Sequence, residues 1–125
     1  MKLQADTPQP TSIIAYGEGW LQLPEHRYEQ SVLLTSDGEH HVWACSSFEA
    51  LTQQQMADLA VVARSAQVVL LGSGKRTRFP PAAWLRPFMA MQVGLESMDT
   101  AAACRTFNVL AGEGRKVVAA LIVER

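Results

Sequence analysis

An apolar stretch without alternation, Val68-Val69-Leu70-Leu71, marks the strand around which the chain is built. A strand with four consecutive branched aliphatics has to be covered on both faces, which places it inside a sheet between two layers. Two glycines, Gly72 and Gly74, end the run, and three cations, Lys75, Arg76 and Arg78, follow closely. Glycine opens backbone angles closed to other residues, so the spacing predicts a strand over 67–72 feeding a tight turn with amides directed outward.

On the amino side of this strand, Ile13–Tyr16 and Trp20–Leu23 flank Gly17-Glu18-Gly19 and predict a hairpin that Pro24 ends, with His26 in the loop beyond. A second hairpin is expected where Val32–Thr35 and His40–Cys45 flank Asp37-Gly38, a pair that favours a type I′ turn. Thr52 and Gln55 then have the spacing of a capping box, and Leu51 with Met56 that of a hydrophobic staple. The helix they start should run to about Ser65, with Met56, Leu59, Ala60 and Ala63 on one face.

Beyond the turn, Pro80-Pro81 predicts the start of a second helix, because an amino-terminal proline loses only an amide without an intrahelical partner. Trp84, Leu85, Phe88 and Met89 would form its buried face, and Pro87 should kink or break it. A strand over 92–97 follows. Asp99 should cap a third helix over 100–111 that buries Ala103, Phe107 and Leu110 and stops at Gly112. An apolar strand over 115–123 closes the chain. Hairpins followed by alternating strand and helix give an α/β domain with an antiparallel β extension, a single domain over 12–125 behind a disordered tail of 1–11.

Composition narrows the classes. With 125 residues, 48% hydrophobic and 18% charged, the chain can bury a core without metal or disulfide support. A formal charge of −1 argues against nucleic-acid binding, which draws on many cations. Cys45 and Cys104 form no C-x-x-C pattern and read as reduced, semi-buried core residues in a reducing compartment, with a single disulfide between them as the other reading. The amino terminus has neither the apolar core of a signal peptide nor the character of a mitochondrial presequence, and the run 117–123 is too short to span a bilayer, so a bacterial-type cytoplasm is expected.

The candidate chemistry is sparse. Gly72-Ser73-Gly74-Lys75-Arg76 has neither the P-loop spacing nor the third glycine of a dinucleotide fingerprint, whose place Thr77 takes. Exposed amides with Lys75, Arg76 and Arg78 nearby could nevertheless hold a carboxylate or phosphate; solvated cations around a plain turn are the other reading. His40 and His41 are neighbours on a strand and point to opposite faces, so they do not make a shared metal site. Cys104 lies among alanines with nothing adjacent to activate it. Glu96, Asp99, Arg105, Asn108, Glu113 and Arg115 surround the third helix as polar groups without a catalytic spacing.

The order of several segments is more specific than any one of them. Gly72-Ser73-Gly74 follows an apolar strand. Then come Val93-Gly94-Leu95-Glu96-Ser97-Met98-Asp99-Thr100, Ala102-Ala103-Cys104-Arg105-Thr106-Phe107-Asn108-Val109-Leu110, Glu113-Gly114-Arg115 and Ala119-Ala120-Leu121-Ile122. Over most of its length the chain thereby resembles the domain-of-unknown-function family that includes mitochondrial complex I assembly factor 3 and the adipogenesis-associated protein. The resemblance implies a three-layer α/β fold with a central mixed sheet flanked by helices and an accessory antiparallel β-hairpin portion. It implies no catalytic residues and no cofactor. It directs attention to Gly72, Gly74, Glu96, Asp99, Thr100, Asn108 and Arg115 as a shared surface.

Two functions of different class are therefore expected. One is a non-enzymatic binding or assembly module with a protein partner. The other is a small-anion-binding protein or enzyme with its site at the turn 72–78. The second requires a concave pocket joining that turn to Glu96 or Asn108.

Overall fold

A computed structural model describes residues 9–124. Of the expected tail, residues 1–8 lie outside the described residues, whereas Thr11 is buried and its hydroxyl donates to the Thr35 carbonyl at 2.8 Å. Two sheets organise the chain. The smaller is antiparallel, in the order β1 (Ala15–Gly17), β2 (Trp20–Leu23), β3 (His26–Tyr28). The larger comprises β4 (Val32–Thr35), β5 (His40–Val42), β6 (Val68–Gly72), β7 (Gly94–Met98) and β8 (Val117–Leu121), in the order β5-β4-β8-β6-β7. It is mixed: β6 runs parallel to both β7 and β8, while β4 is antiparallel to β8 and β5.

All five residues of β6 and of β8 are buried, as a strand covered on both faces requires. Their side chains alternate between two cores. Val68, Leu70, Val117, Ala119 and Leu121 pack with Leu21, Leu23, Tyr28, Ala103 and Phe107. Val69, Leu71, Val118 and Ala120 pack with Trp43, Met56, Leu59 and Phe88. The fold is thus three layers, with helix α3 (Thr100–Gly112) and the small sheet on one face and helices α1 (Gln53–Val62) and α2 (Arg86–Ala90) on the other. Cys104 belongs to the first core and Cys45 to the second, and both thiols are free.

The capping box at α1 forms as expected: the Gln55 amide donates to Thr52 Oγ1 at 3.1 Å, and Gln55 Oε1 accepts from the Thr52 amide at 3.0 Å. Elsewhere the chain departs from the expectation in instructive ways. His26 lies in a strand, because 24–25 form a two-residue connection that returns 26–28 to pair with β2 and bury Tyr28 opposite Leu21. The accessory portion therefore has three strands. The Asp37-Gly38 loop is not type I′, which needs positive φ at both residues; Gly38 alone is positive, at +102°. Helix α1 ends at Val62, short of Ser65.

The second helix is broken more completely than a kink. Ala82–Leu85 form a 3-10 turn, and the α-helical part begins at Arg86, with Pro87 in its first turn where its missing amide costs nothing. Phe88 is buried, but Met89 is 71% exposed, since only one turn of helix faces the core. Helix α3 ends one step later than expected: Gly112 is still helical, and Gly114, at φ +81°, is the glycine past the end. Among the described residues no helix is long and apolar enough to cross a membrane.

Candidate functional site

At the carboxyl end of β6 the two glycines serve different needs. A Cβ on Gly72 would lie 3.1 Å from Thr100 Cα, so this glycine lets the start of α3 approach the sheet. Gly74 has φ +98°, and a Cβ there would overlap the Glu124 carboxylate and approach Arg78 Nη2 to 2.7 Å. Thr100 joins the two: its hydroxyl accepts the Gly74 amide at 2.9 Å and donates to the Ile122 carbonyl at 2.6 Å, and its amide donates to the Gly74 carbonyl at 2.9 Å. Asp99 caps α3 through the Ala102 amide at 2.8 Å.

The outward amides of the turn hold a carboxylate that the chain itself supplies. Glu124 Oε1 accepts the Lys75 amide at 3.1 Å, and Oε2 accepts the Phe48 amide at 3.2 Å and Arg78 Nη2 at 2.8 Å. Arg78 also donates to the Ser73 carbonyl at 2.7 Å and to Glu49 Oε2 at 2.6 Å, and its guanidinium lies 4.9 Å from the Phe48 ring centre. Both partners of the Arg78–Glu124 pair are largely withdrawn from water, with side chains 16% and 12% exposed. Burial pushes the Glu124 carboxyl up, but the two amides and the guanidinium together hold it below its ordinary value.

This arrangement ties three distant segments, the loop before α1, the turn after β6 and the end of the chain, into one rigid corner. Ser73 completes it: fully buried, its hydroxyl lies 2.7 Å from the Arg76 carbonyl and accepts the Arg78 amide at 2.9 Å. Between Arg78, tied down in this way, and the buried Pro80, Phe79 stands 72% exposed. Nothing in the residues around it marks Phe79 as exposed rather than as a core aromatic, and it was not among the expected site residues.

Beside the corner lies a cleft of about 510 Å³, bounded by the β1–β2 turn, the first turn of α3 and residues 122–124. Gly74, Lys75, Asp99 and Thr100 line it. This cleft does not join the turn to Glu96 or Asn108, the arrangement that the small-anion reading requires. Glu96 is exposed on β7, at the edge of the sheet, and Arg115 and Arg76 are exposed outside the cleft.

Asn108 has structural work. Its Nδ2 donates to the Ile13 carbonyl at 2.8 Å and its Oδ1 accepts the Ile13 amide at 2.9 Å, so a side-chain amide completes the lead-in to β1. Arg105 adds a bond from Nη1 to the Tyr16 hydroxyl at 2.7 Å. Together they fasten the small sheet to α3. Asn108→Ala should cost about 2 kcal/mol, roughly one for each lost bond. Hydrogen exchange checks this: protection should fall more over 15–23 than over 68–72, and an equal fall in both would contradict a local clamp.

Two of the three histidines, His26 and His40, lie together beside Tyr28. His40 Nδ1 lies 2.6 Å from the Tyr28 hydroxyl, and His26 stacks near Tyr28 with ring centres 4.2 Å apart. No set of three potential ligands occurs among the described residues. The cysteines are equally quiescent. Burial raises the Cys45 thiol to about 11 and the Cys104 thiol to about 12, the opposite of an activated nucleophile.

Comparison with known proteins agrees with this architecture. The chain is 32% identical to bovine NADH dehydrogenase [ubiquinone] 1 alpha subcomplex assembly factor 3 over 80 residues, which is 64% of this chain and 44% of the relative. The mouse protein of the same name is 28% identical over 121 residues, 96% of this chain and 64% of the relative. The chain thus spans less than two thirds of either relative. A Bordetella pertussis Mth938-like domain solved in solution superposes with a TM-score of 0.83 at 29% identity, covering 98% of this chain and 92% of that one. Residues 13–122 match the model of a protein family of unknown function, DUF498/DUF598, and the chain belongs to that family.

Proposed function

We propose that this protein is a non-enzymatic binding module that acts in the assembly of a protein complex, with subunits of a respiratory NADH dehydrogenase as its partners. The observation that carries the reading is the exposure of Phe79 on a loop whose two neighbours are immobilised. A large aromatic held in solvent by a partly buried ion pair on one side and a buried proline on the other costs little entropy to dock. Arg76, exposed three residues earlier on the same turn, supplies the kind of polar group that surrounds interface anchors. The names of the curated relatives support the choice of partner.

A photo-crosslinking residue tests this when placed at position 79 and, as control, at Val61, which is 60% exposed on α1. Crosslinks to NADH dehydrogenase subunits are expected from position 79 alone. Equal yields from the two positions, or none from position 79, would refute the reading. Phe79→Ser should abolish capture while changing stability by no more than about 0.5 kcal/mol, as is usual for an exposed side chain.

A further inference from the structure

We infer that the cleft beside the turn is a binding site for a small amphipathic carboxylate, an alkyl or aryl chain ending in one anionic group. Its volume, about 510 Å³, is in the range of small-molecule sites. One wall is the indole of Trp20, which has two close neighbours. Arg27 lies 4.4 Å from the ring centre, and Gly17 approaches so closely that a Cβ would come within 2.5 Å of Nε1. Ala101 and Val123 continue the apolar lining.

Most of the polar groups in the walls already have partners. Thr100 is engaged by Gly74 and Ile122, Asp99 by the Ala102 amide, and Glu124 by Arg78 and two amides. They neither invite nor need a polar ligand atom, so the interior selects an apolar body.

The mouth differs. Lys75 Nζ is 3.2 Å from Glu18 Oε1, with the two side chains 55% and 76% exposed. An ion pair that exposed contributes little, so a ligand carboxylate can replace Glu18 on Lys75 at small cost. The positive end of the α3 dipole faces the same space and favours an anion there. Glu18, Asp99 and Glu124 oppose an anion; Glu124 is offset by Arg78, Asp99 only by the Ala102 amide that it caps, and Glu18 is exposed enough to turn into solvent. An inorganic anion has no apolar body for the cleft, and the amide cradle that would suit it is filled by Glu124.

The inference is independent of the assembly reading, because it concerns a different part of the surface from Phe79 and its test involves no protein partner. Amide chemical shifts of the full chain are followed by NMR while octanoate, 1-octanol or inorganic phosphate is added. Octanoate should saturate with shifts confined to 16–21, 74–75, 99–104 and 122–124. Octanol should bind about tenfold more weakly for want of the charge-assisted contact, and phosphate should cause no saturable shift. Lys75→Gln should bring octanoate down to the affinity of octanol and leave octanol unchanged; Ala101→Phe, which fills the cleft, should abolish both. Octanoate shifts that fail to saturate or fall elsewhere would overturn the inference. So would octanol binding as tightly as octanoate, or octanoate affinity unaffected by Lys75→Gln.

Discussion

Replacing Gly74 by alanine should destabilise the protein by about 3 kcal/mol, well beyond the usual cost of a surface glycine change. Two causes add. At φ +98° an L-residue presses its Cβ against the backbone, which costs on the order of 1–2 kcal/mol. The same Cβ would overlap the Glu124 carboxylate and crowd Arg78 Nη2, forcing the ion pair out of its amide cradle at a further cost of about 1.5–3 kcal/mol. Denaturant unfolding measures the sum. A second variant separates the causes: Gly114 also has positive φ, at +81°, but a Cβ there meets nothing within 4 Å. Gly114→Ala should show the backbone cost alone. If the two variants lose the same stability, the crowding argument fails.

Arg78→Met should cost about 2 kcal/mol and change how stability depends on pH. Removing one partner of a buried pair costs roughly 3–5 kcal/mol, but this pair is only partly buried, Glu124 keeps two backbone amides and Glu49 is largely exposed, so the cost falls below that range. Because the folded-state carboxyl of Glu124 lies below its ordinary value of 4.5, the stability it contributes is fully present above that value. It is lost as pH falls through the lower, folded-state value. Methionine removes the guanidinium that helps depress the carboxyl, so the wild type should lose more stability than the variant between pH 5 and about pH 3. Parallel pH profiles for the two proteins would contradict this.

The central strand, the first and third helices and their caps could be read from the sequence because each depends on near neighbours; the order of the strands, set by distant pairings, could not. Val68–Leu71 announce a doubly covered strand by their lack of alternation, and Thr52 with Gln55 and Asp99 with Ala102 are contacts over three residues. The strand β3 escaped notice since only Tyr28 of its three residues is buried, which leaves no period to detect. Gly112 and Gly114 are both plausible helix stops by composition, and only the backbone angle distinguishes them.

The site was less legible for a physical reason. Gly74, Lys75, Asp99 and Thr100 do meet at one cleft, but Glu124 reaches the turn across 49 residues and Asn108 reaches Ile13 across 95. No spacing rule bears on such pairs. The cations of the turn therefore looked free in sequence, whereas Arg78 is bonded to three acceptors on Ser73, Glu49 and Glu124, and Lys75 is paired with Glu18.

The occupation of the turn by the chain's own carboxylate fixes the loop that carries Phe79, shapes the cleft and makes Gly74 indispensable. The direct measurement is the titration of the Glu124 side-chain carboxyl by carbon-detected NMR in the wild type and in Arg78→Met. The carboxyl should titrate below its ordinary value of 4.5 in the wild type and move back toward that value in the variant. A Glu124 carboxyl that titrates at or above 4.5 in the wild type, or that does not respond to loss of Arg78, would contradict the account.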